Sequence, residues 1–107
     1  MKIPSDAEIA SQKLTHYLLV PQAKNDKSKW LANLGFTLEN PSHLEQDIRN
    51  LLTDNEAIID REDEYGIFYR VKGQLSGTHG QAIAISIWLY VQATETYRFI
   101  TLKPYKE

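Results

Sequence analysis

The sequence predicts an α+β fold in which two or three N-terminal helices pack on one face of a three- to four-stranded antiparallel meander sheet. Between residues 13 and 55, apolar side chains recur at helical spacing, most clearly Leu44, Ile48, Leu51 and Leu52, the i, i+4, i+7, i+8 stripe of an amphipathic helix. From residue 65 to 105 the period changes to two: Ile83, Ile85, Ile87, Leu89 and Val91 alternate with Ala82, Ala84, Ser86, Trp88 and Tyr90, as side chains do along a strand. Turn residues at 77–80 and 94–96 separate consecutive strand-like runs, so each strand can pair with the next through a hairpin and needs no crossover. At 107 residues the chain suits one core. It divides into a lead-in (1–12), a helical part (13–55) and a sheet (56–105).

Pro4 and the Ser5-Asp6 pair favour a turn in the lead-in. Ser11 is positioned to cap a helix over 12–20 that buries Leu14, Leu18 and Leu19, and Pro21 ends it. Asp26 is the expected cap of a second helix with Trp30, Leu31 and Leu34 inside. Gly35 followed by Phe36 reads as a left-handed C-terminal cap with its hydrophobic contact. In the third helix Asn40 or Ser42 caps, Pro41 suits the first turn, and Ser42 with Glu45 has capping-box spacing. Residues 56–64 open the sheet as an edge strand whose charges discourage intermolecular pairing. The aliphatic row Ile83 to Val91 is expected under the helices, leaving Trp88, Tyr90, Tyr97 and Phe99 as a platform on the open face, flanked by Arg70 and Lys72. By strand parity, Thr101 and Lys103 join that face and Arg98 opposes them, unless a bulge shifts the register.

Composition narrows the function classes. Hydrophobic content of 42% and charged content of 24% are ordinary for a globular protein. No run is long enough to span a bilayer and no signal peptide opens the chain, so a cytoplasmic protein without a membrane partner is expected. Without cysteine there is neither a disulfide framework nor a thiolate metal site. No glycine-rich phosphate loop, HExxH or nucleophile elbow occurs, and no metal or other cofactor is expected. The net charge of -2 conceals two poles. Residues 39–64 hold nine acidic and two basic side chains, net -7; the remainder holds ten basic and five acidic, net +5. Local potential, rather than net charge, steers a polyanion.

Several strings carry a resemblance: KLTHYLLVP (13–21), Lys27 ahead of LGF (34–36), Tyr65-Gly66 with Tyr69, the glycines of GQLSG, Trp88 late in its strand, and RFITLKP (98–104). Together they resemble a family of small bacterial domains of unknown function. That family's helices and four-stranded meander are similar to the barnase, EndoU, colicin and RelE ribonuclease-toxin superfamily. Val20 and Gln81 depart from the pattern, which has Asn and a basic residue there. The resemblance implies RNA as substrate, a small antitoxin or immunity protein as partner, and Lys27, Arg98 and Thr101 as catalytic residues. Metal-independent RNA cleavage needs proton transfer and cations for the charge growing on phosphate. Arg70, Lys72 and Lys103 are candidate cations, and Tyr65, Tyr69 and Trp88 are candidate stacking residues for bases. The acid and base stay unassigned, since His79 sits at a hairpin tip and His43 in a helix cap. The other reading is a non-catalytic interaction module, binding a protein or forming a homodimer through the aromatic platform.

Overall fold

The computed structural model describes residues 1–106. Three helices precede a four-stranded antiparallel sheet of β1 (Ala57–Asp63), β2 (Gly66–Ser76), β3 (Gln81–Val91) and β4 (Thr96–Pro104), arranged in that order. This is the α+β meander that the change of period predicts. No helix among the described residues is long and apolar enough to cross a membrane.

Helix α1 starts α-helically at Ser11–Lys13 and widens to a π-helix over Leu14–Leu18. Ser11 does not cap it; Ala10 stands at the N-cap with no side-chain bond. The widening explains how Leu14, Leu18 and Leu19 are all buried. In an α-helix a five-residue step overshoots one turn by about 140°, whereas an i→i+5 hydrogen bond closes the turn. Leu19 N–H donates to the Leu14 carbonyl at 3.0 Å, returning Leu19 to the stripe of Leu14.

Helix α2 (Ser28–Leu34) ends as expected. Gly35 has φ 101°, Gly35 N–H donates to Ala32 and Phe36 N–H to Leu31, each at 2.9 Å, which is the Schellman pattern. In helix α3 (Pro41–Asp54) the apolar stripe is buried, but the capping box does not form. Asn40 turns back to accept from Thr37 N–H at 2.8 Å and donate to the Gly35 carbonyl at 3.1 Å. Glu45 meets Arg49 at 3.2 Å instead. Arg49 and Asp47 are tethers: Arg49 donates to the carbonyls of Ser5 and Ala7, and Asp47 accepts the Ser76 N–H. The lead-in is a strap that buries Ile3, Ala7 and Ile9. It accepts from Ala57 N–H through Met1, and exchanges bonds with β4 through Glu8 N–H to Tyr97 and Phe99 N–H to Glu8.

The faces of the sheet are the reverse of expectation. Ala84, Ser86 and Trp88 lie beneath the helices, fully buried with Val71, Phe99 and Leu102. The aliphatic row of β3 lines the open side, where Ile87 and Leu89 are shielded by Phe68 and by the flanking Ile85, Val91 and Ile100. Shape decides this. Gly73 and Ala84 are opposite each other, and a Cβ on Gly73 would strike Leu51 and Asn55, so small residues let α3 approach while Trp88 fills the remaining volume. The polar atoms are satisfied: Trp88 Nε1–H donates to Ser86 Oγ at 2.8 Å, and Ser86 donates to the Val71 carbonyl at 3.3 Å. Trp88 and Phe99, read as platform residues, are therefore core. The pairing Ile87↔Thr101 beside Trp88↔Phe99 leaves Ile100 as an extra residue in β4. This bulge restores Arg98 to the open face, opposite Leu89, two positions along β3 from Thr101's partner.

Trp88→Ala should cost about 3–5 kcal/mol, as for other buried aromatics, whereas Ile83→Ala, at a side chain 40% exposed, should change stability by about 0.5 kcal/mol or less. Urea unfolding of both variants checks this; equal losses would mean that the faces are assigned wrongly.

Candidate functional site

The candidate site forms where α1, the segment entering α2, and the bulge of β4 meet. Asn25 takes a left-handed φ of 55°, a conformation asparagine tolerates, and Asp26 secures the turn. Its Oδ1 accepts from Ser28 Oγ–H at 2.8 Å, Ser28 N–H at 3.1 Å and Gln22 N–H at 3.3 Å. These bonds, chiefly that from the Ser28 hydroxyl, hold the Asp26 carboxyl below its ordinary value. Asp26 is thus not the N-cap expected of it, since Lys27 occupies that position without a side-chain bond, but it satisfies the N–H of the helix's first residue. Gln22 Nε2–H donates to the carbonyls of Tyr17 and Val20, each at 3.2 Å, binding this turn to the end of α1.

Lys27 is directed by these constraints across the fold. Its Nζ donates to Thr101 Oγ1 at 3.2 Å and lies 5.6 Å from the Tyr17 ring centre, within cation–π range. A cleft of about 580 Å³ opens beside this contact, lined by Lys13, His16, Tyr17, Lys27, Ile100 and Thr101 among others. An ammonium that gives one proton to a threonine hydroxyl keeps two for another acceptor, and the hydroxyl keeps its own. Lys13, His16, Tyr17 and Lys27 thus line one concave surface, and side chains of these types suit an anion with a transferable proton. His16 was not singled out by the sequence. The cue lies in KLTHYLLVP, where Lys13, His16 and Tyr17 are among the polar positions around the leucine stripe, but the π-turn on which His16 and Tyr17 sit is not visible in spacing.

The remaining candidates are spread more widely. Arg98 shares the open face with Thr101 but its Nε donates to Glu8 at 3.1 Å, both side chains about half exposed. Lys103 lines a second cleft that shares Lys27. Arg70 and Lys72 lie nearer β1, with Lys72 Nζ 3.7 Å from the Tyr105 ring centre. Tyr65 is exposed beyond the end of β1. Tyr69 packs with Tyr97 and, through it, Tyr90 on the helix side, where burial raises the Tyr97 phenol above its ordinary value. Trp88 has no exposed surface and cannot stack a base. The other histidines lie away from this cleft: His43 packs edge-on against Phe36, and the backbone N–H of His79 docks the hairpin tip on the Leu34 carbonyl. Among the described residues, no group of three or more His, Asp or Glu side chains is arranged to hold a metal ion.

The model of a domain of unknown function, DUF6883, matches residues 3–106. The chain belongs to this family. The DUF6883 match takes in the strap, all three helices and the whole sheet. No curated protein matches the sequence. Among solved structures, a chain described as "Contact-dependent growth inhibition toxin - immunity protein complex from Klebsiella pneumoniae 342" aligns with a TM-score of 0.71, covering 96% of this chain and 97% of that one at 16% identity. At that identity the likeness is one of fold. The family's fold is thus one that also serves within a toxin–immunity complex.

Because the native Asp26 carboxyl titrates below its ordinary value of 3.8, its ionised form favours the folded state above that pH, and the contribution fades as pH falls through the depressed native value. Asp26→Asn should therefore lower the thermal midpoint at neutral pH, with the difference closing as the pH falls below 3.8 and through the depressed native value. Thermal melts across this range check the sign; a difference independent of pH would assign the effect to something other than the charge.

Proposed function

We propose that this protein is a metal-independent endoribonuclease and the toxin of a toxin–immunity pair. The observation that carries the reading is the convergence of His16, Lys13, Tyr17 and the Lys27–Thr101 contact on one cleft. In the reaction, His16 takes the proton of a ribose 2′-hydroxyl, whose oxygen attacks the adjacent phosphorus. The bond to the 5′-oxygen breaks, and a lysine ammonium in the cleft returns a proton to that oxygen. The products are a 2′,3′-cyclic phosphate and a 5′-hydroxyl. Imidazole is the side chain that exchanges protons near neutral pH, which suits His16 to the base role. Lys27, oriented by Thr101, balances the charge that accumulates on the phosphoryl oxygens, and Tyr17 offers a ring on which a neighbouring base can stack. Arg98 stands further along the same face and draws the strand in electrostatically once it exchanges Glu8 for a phosphate.

The partner in this reading is an immunity protein that blocks the cleft, in keeping with the complex from which the structural neighbour comes. RNA as substrate implies action in the cytoplasm. A homodimer has no role in the mechanism, and the interaction module loses Trp88 and Phe99 from its four-residue platform, since both are buried.

Purified protein should cleave total RNA in EDTA and arrest growth when expressed without a partner. His16→Ala should reduce cleavage by about 10²–10⁴-fold, the usual range for a general base. Lys27→Ala should cost about 10²–10³-fold, as for loss of a charge-stabilising donor, and Thr101→Val less, with all three variants still folded by circular dichroism. A wild type that leaves RNA intact and growth unaffected would overturn the reading and point to the non-toxic member of such a pair.

A further inference from the structure

We infer that a single-stranded polyanionic chain, RNA on the reading above, is bound along a three-basin track that crosses the open face of the sheet from β4 to β1. The track rests on shared lining residues. The His16 cleft meets a second cleft, also about 580 Å³, at Lys27; this second basin continues through Lys103, Pro104 and Lys106 to Ile85. Ile85 in turn lines a third basin of about 440 Å³ with Arg70, Lys72 and Tyr105. Cations thus recur in every basin, and Lys27 and Ile85 are the two thresholds between them.

The register explains the continuity. Lys72 pairs with Ile85 and Ile85 with Lys103, so these three residues form one row across β2, β3 and β4 on the same face. A basic residue stands on each side of an aliphatic floor. Neighbouring strands are about 4.8 Å apart, so the two flanking lysine backbones are separated by roughly 10 Å. The two carboxylates among the described lining residues already have partners. Asp26 accepts from Ser28 and Gln22, and Glu56 meets the Met1 amino group at 2.7 Å. The occupant favoured by this arrangement has repeating negative charge and flat apolar faces. Phosphates would meet the lysines while unpaired bases lie against Ile85, Pro104 and the Tyr105 ring, which Lys72 already stacks upon. A duplex hides its base faces and would leave the apolar floor uncovered.

The track therefore selects substrate length and strandedness, while the chemistry is confined to the first basin. With wild-type protein, kcat/KM for single-stranded oligonucleotides should rise at least about tenfold between two and six nucleotides, because each added base stack and phosphate contact contributes to binding. A duplex of the same sequence should be a poor substrate. The triple variant Lys72→Gln, Lys103→Gln, Lys106→Gln should flatten the length profile. In anisotropy titrations of a labelled oligouridylate, its slope of log affinity against log salt should be shallower by about 2, from roughly 0.7 per phosphate contact. Lys2→Gln, at a lysine bonded to the Thr53 carbonyl, should leave that slope unchanged. A length-independent wild type, or a triple variant with the wild-type slope, would overturn the track and leave the face to an acidic protein. Because the titration needs no turnover, RNA that binds with this slope yet is not cut would refute the ribonuclease reading while supporting the track.

Discussion

A buried indole must find a partner for its N–H, and much of this fold follows from how Trp88 does so. The partner is Ser86, two residues away on the same strand and the same face, which passes its own proton to the Val71 carbonyl on β2. The Trp88 ring also packs edge-on against Phe99 of β4, so one side chain ties three strands together under the helices. An indole buried without that hydroxyl would leave an unpaired donor, at a cost of about 1–3 kcal/mol. With the hydroxyl present, the face carrying Ala84, Ser86 and Trp88 becomes the better one to bury, because it combines small residues where α3 comes close with a large ring where space remains. The aliphatic row of β3 is then left outside, between two rows of basic side chains.

That choice of face fixes what the rest of the chain can present. The bulge at Ile100 keeps Phe99 and Leu102 in the core while turning both Arg98 and Thr101 outward. Thr101 then faces Lys27, which the turn at Asp26 and the link from Gln22 hold in place. The π-turn of α1 seats three leucines and, with the same backbone, sets His16 and Tyr17 beside that pair. Each element of the candidate site is therefore a by-product of a packing solution: the widened turn serves the leucines, the bulge serves the phenylalanine, and the capped loop serves α2.

The architecture was legible in the sequence because periodicity reports local geometry. The stripe of α3, the Gly35 cap and the hairpins at 77–80 and 94–96 all depend on residues close to one another in the chain. The face of the sheet was not legible, because alternation identifies two faces without saying which is covered, and an all-aliphatic row looks more core-like than one of alanine, serine and tryptophan. Deciding required knowing that Gly73 stands opposite Ala84, a pairing between strands. The site was legible in part. Lys27 and Thr101 came from the family resemblance and lie 3.2 Å apart, whereas His16 depended on a helix changing its pitch within five residues. The Asn40 side chain illustrates the same limit at a smaller scale, since its use on Thr37 and Gly35 in place of a cap depends on how the preceding loop folds back.

The strap of residues 1–9 gives the fold an order of assembly. It touches β1 at Ala57 and β4 at Tyr97 and Phe99, while Arg49 of α3 grips its middle. The two residues of its bridge to β4, Glu8 and Arg98, are 90 positions apart, so the closure entropy of that contact is high unless intervening elements have already drawn the ends together. The meander and α3 can form from nearer neighbours, but the strap has no docking site until both outer strands are in place. Folding would then finish at the strap, and unfolding would begin there, with the strap acting as a latch whose release exposes the β4 edge next to the candidate cleft.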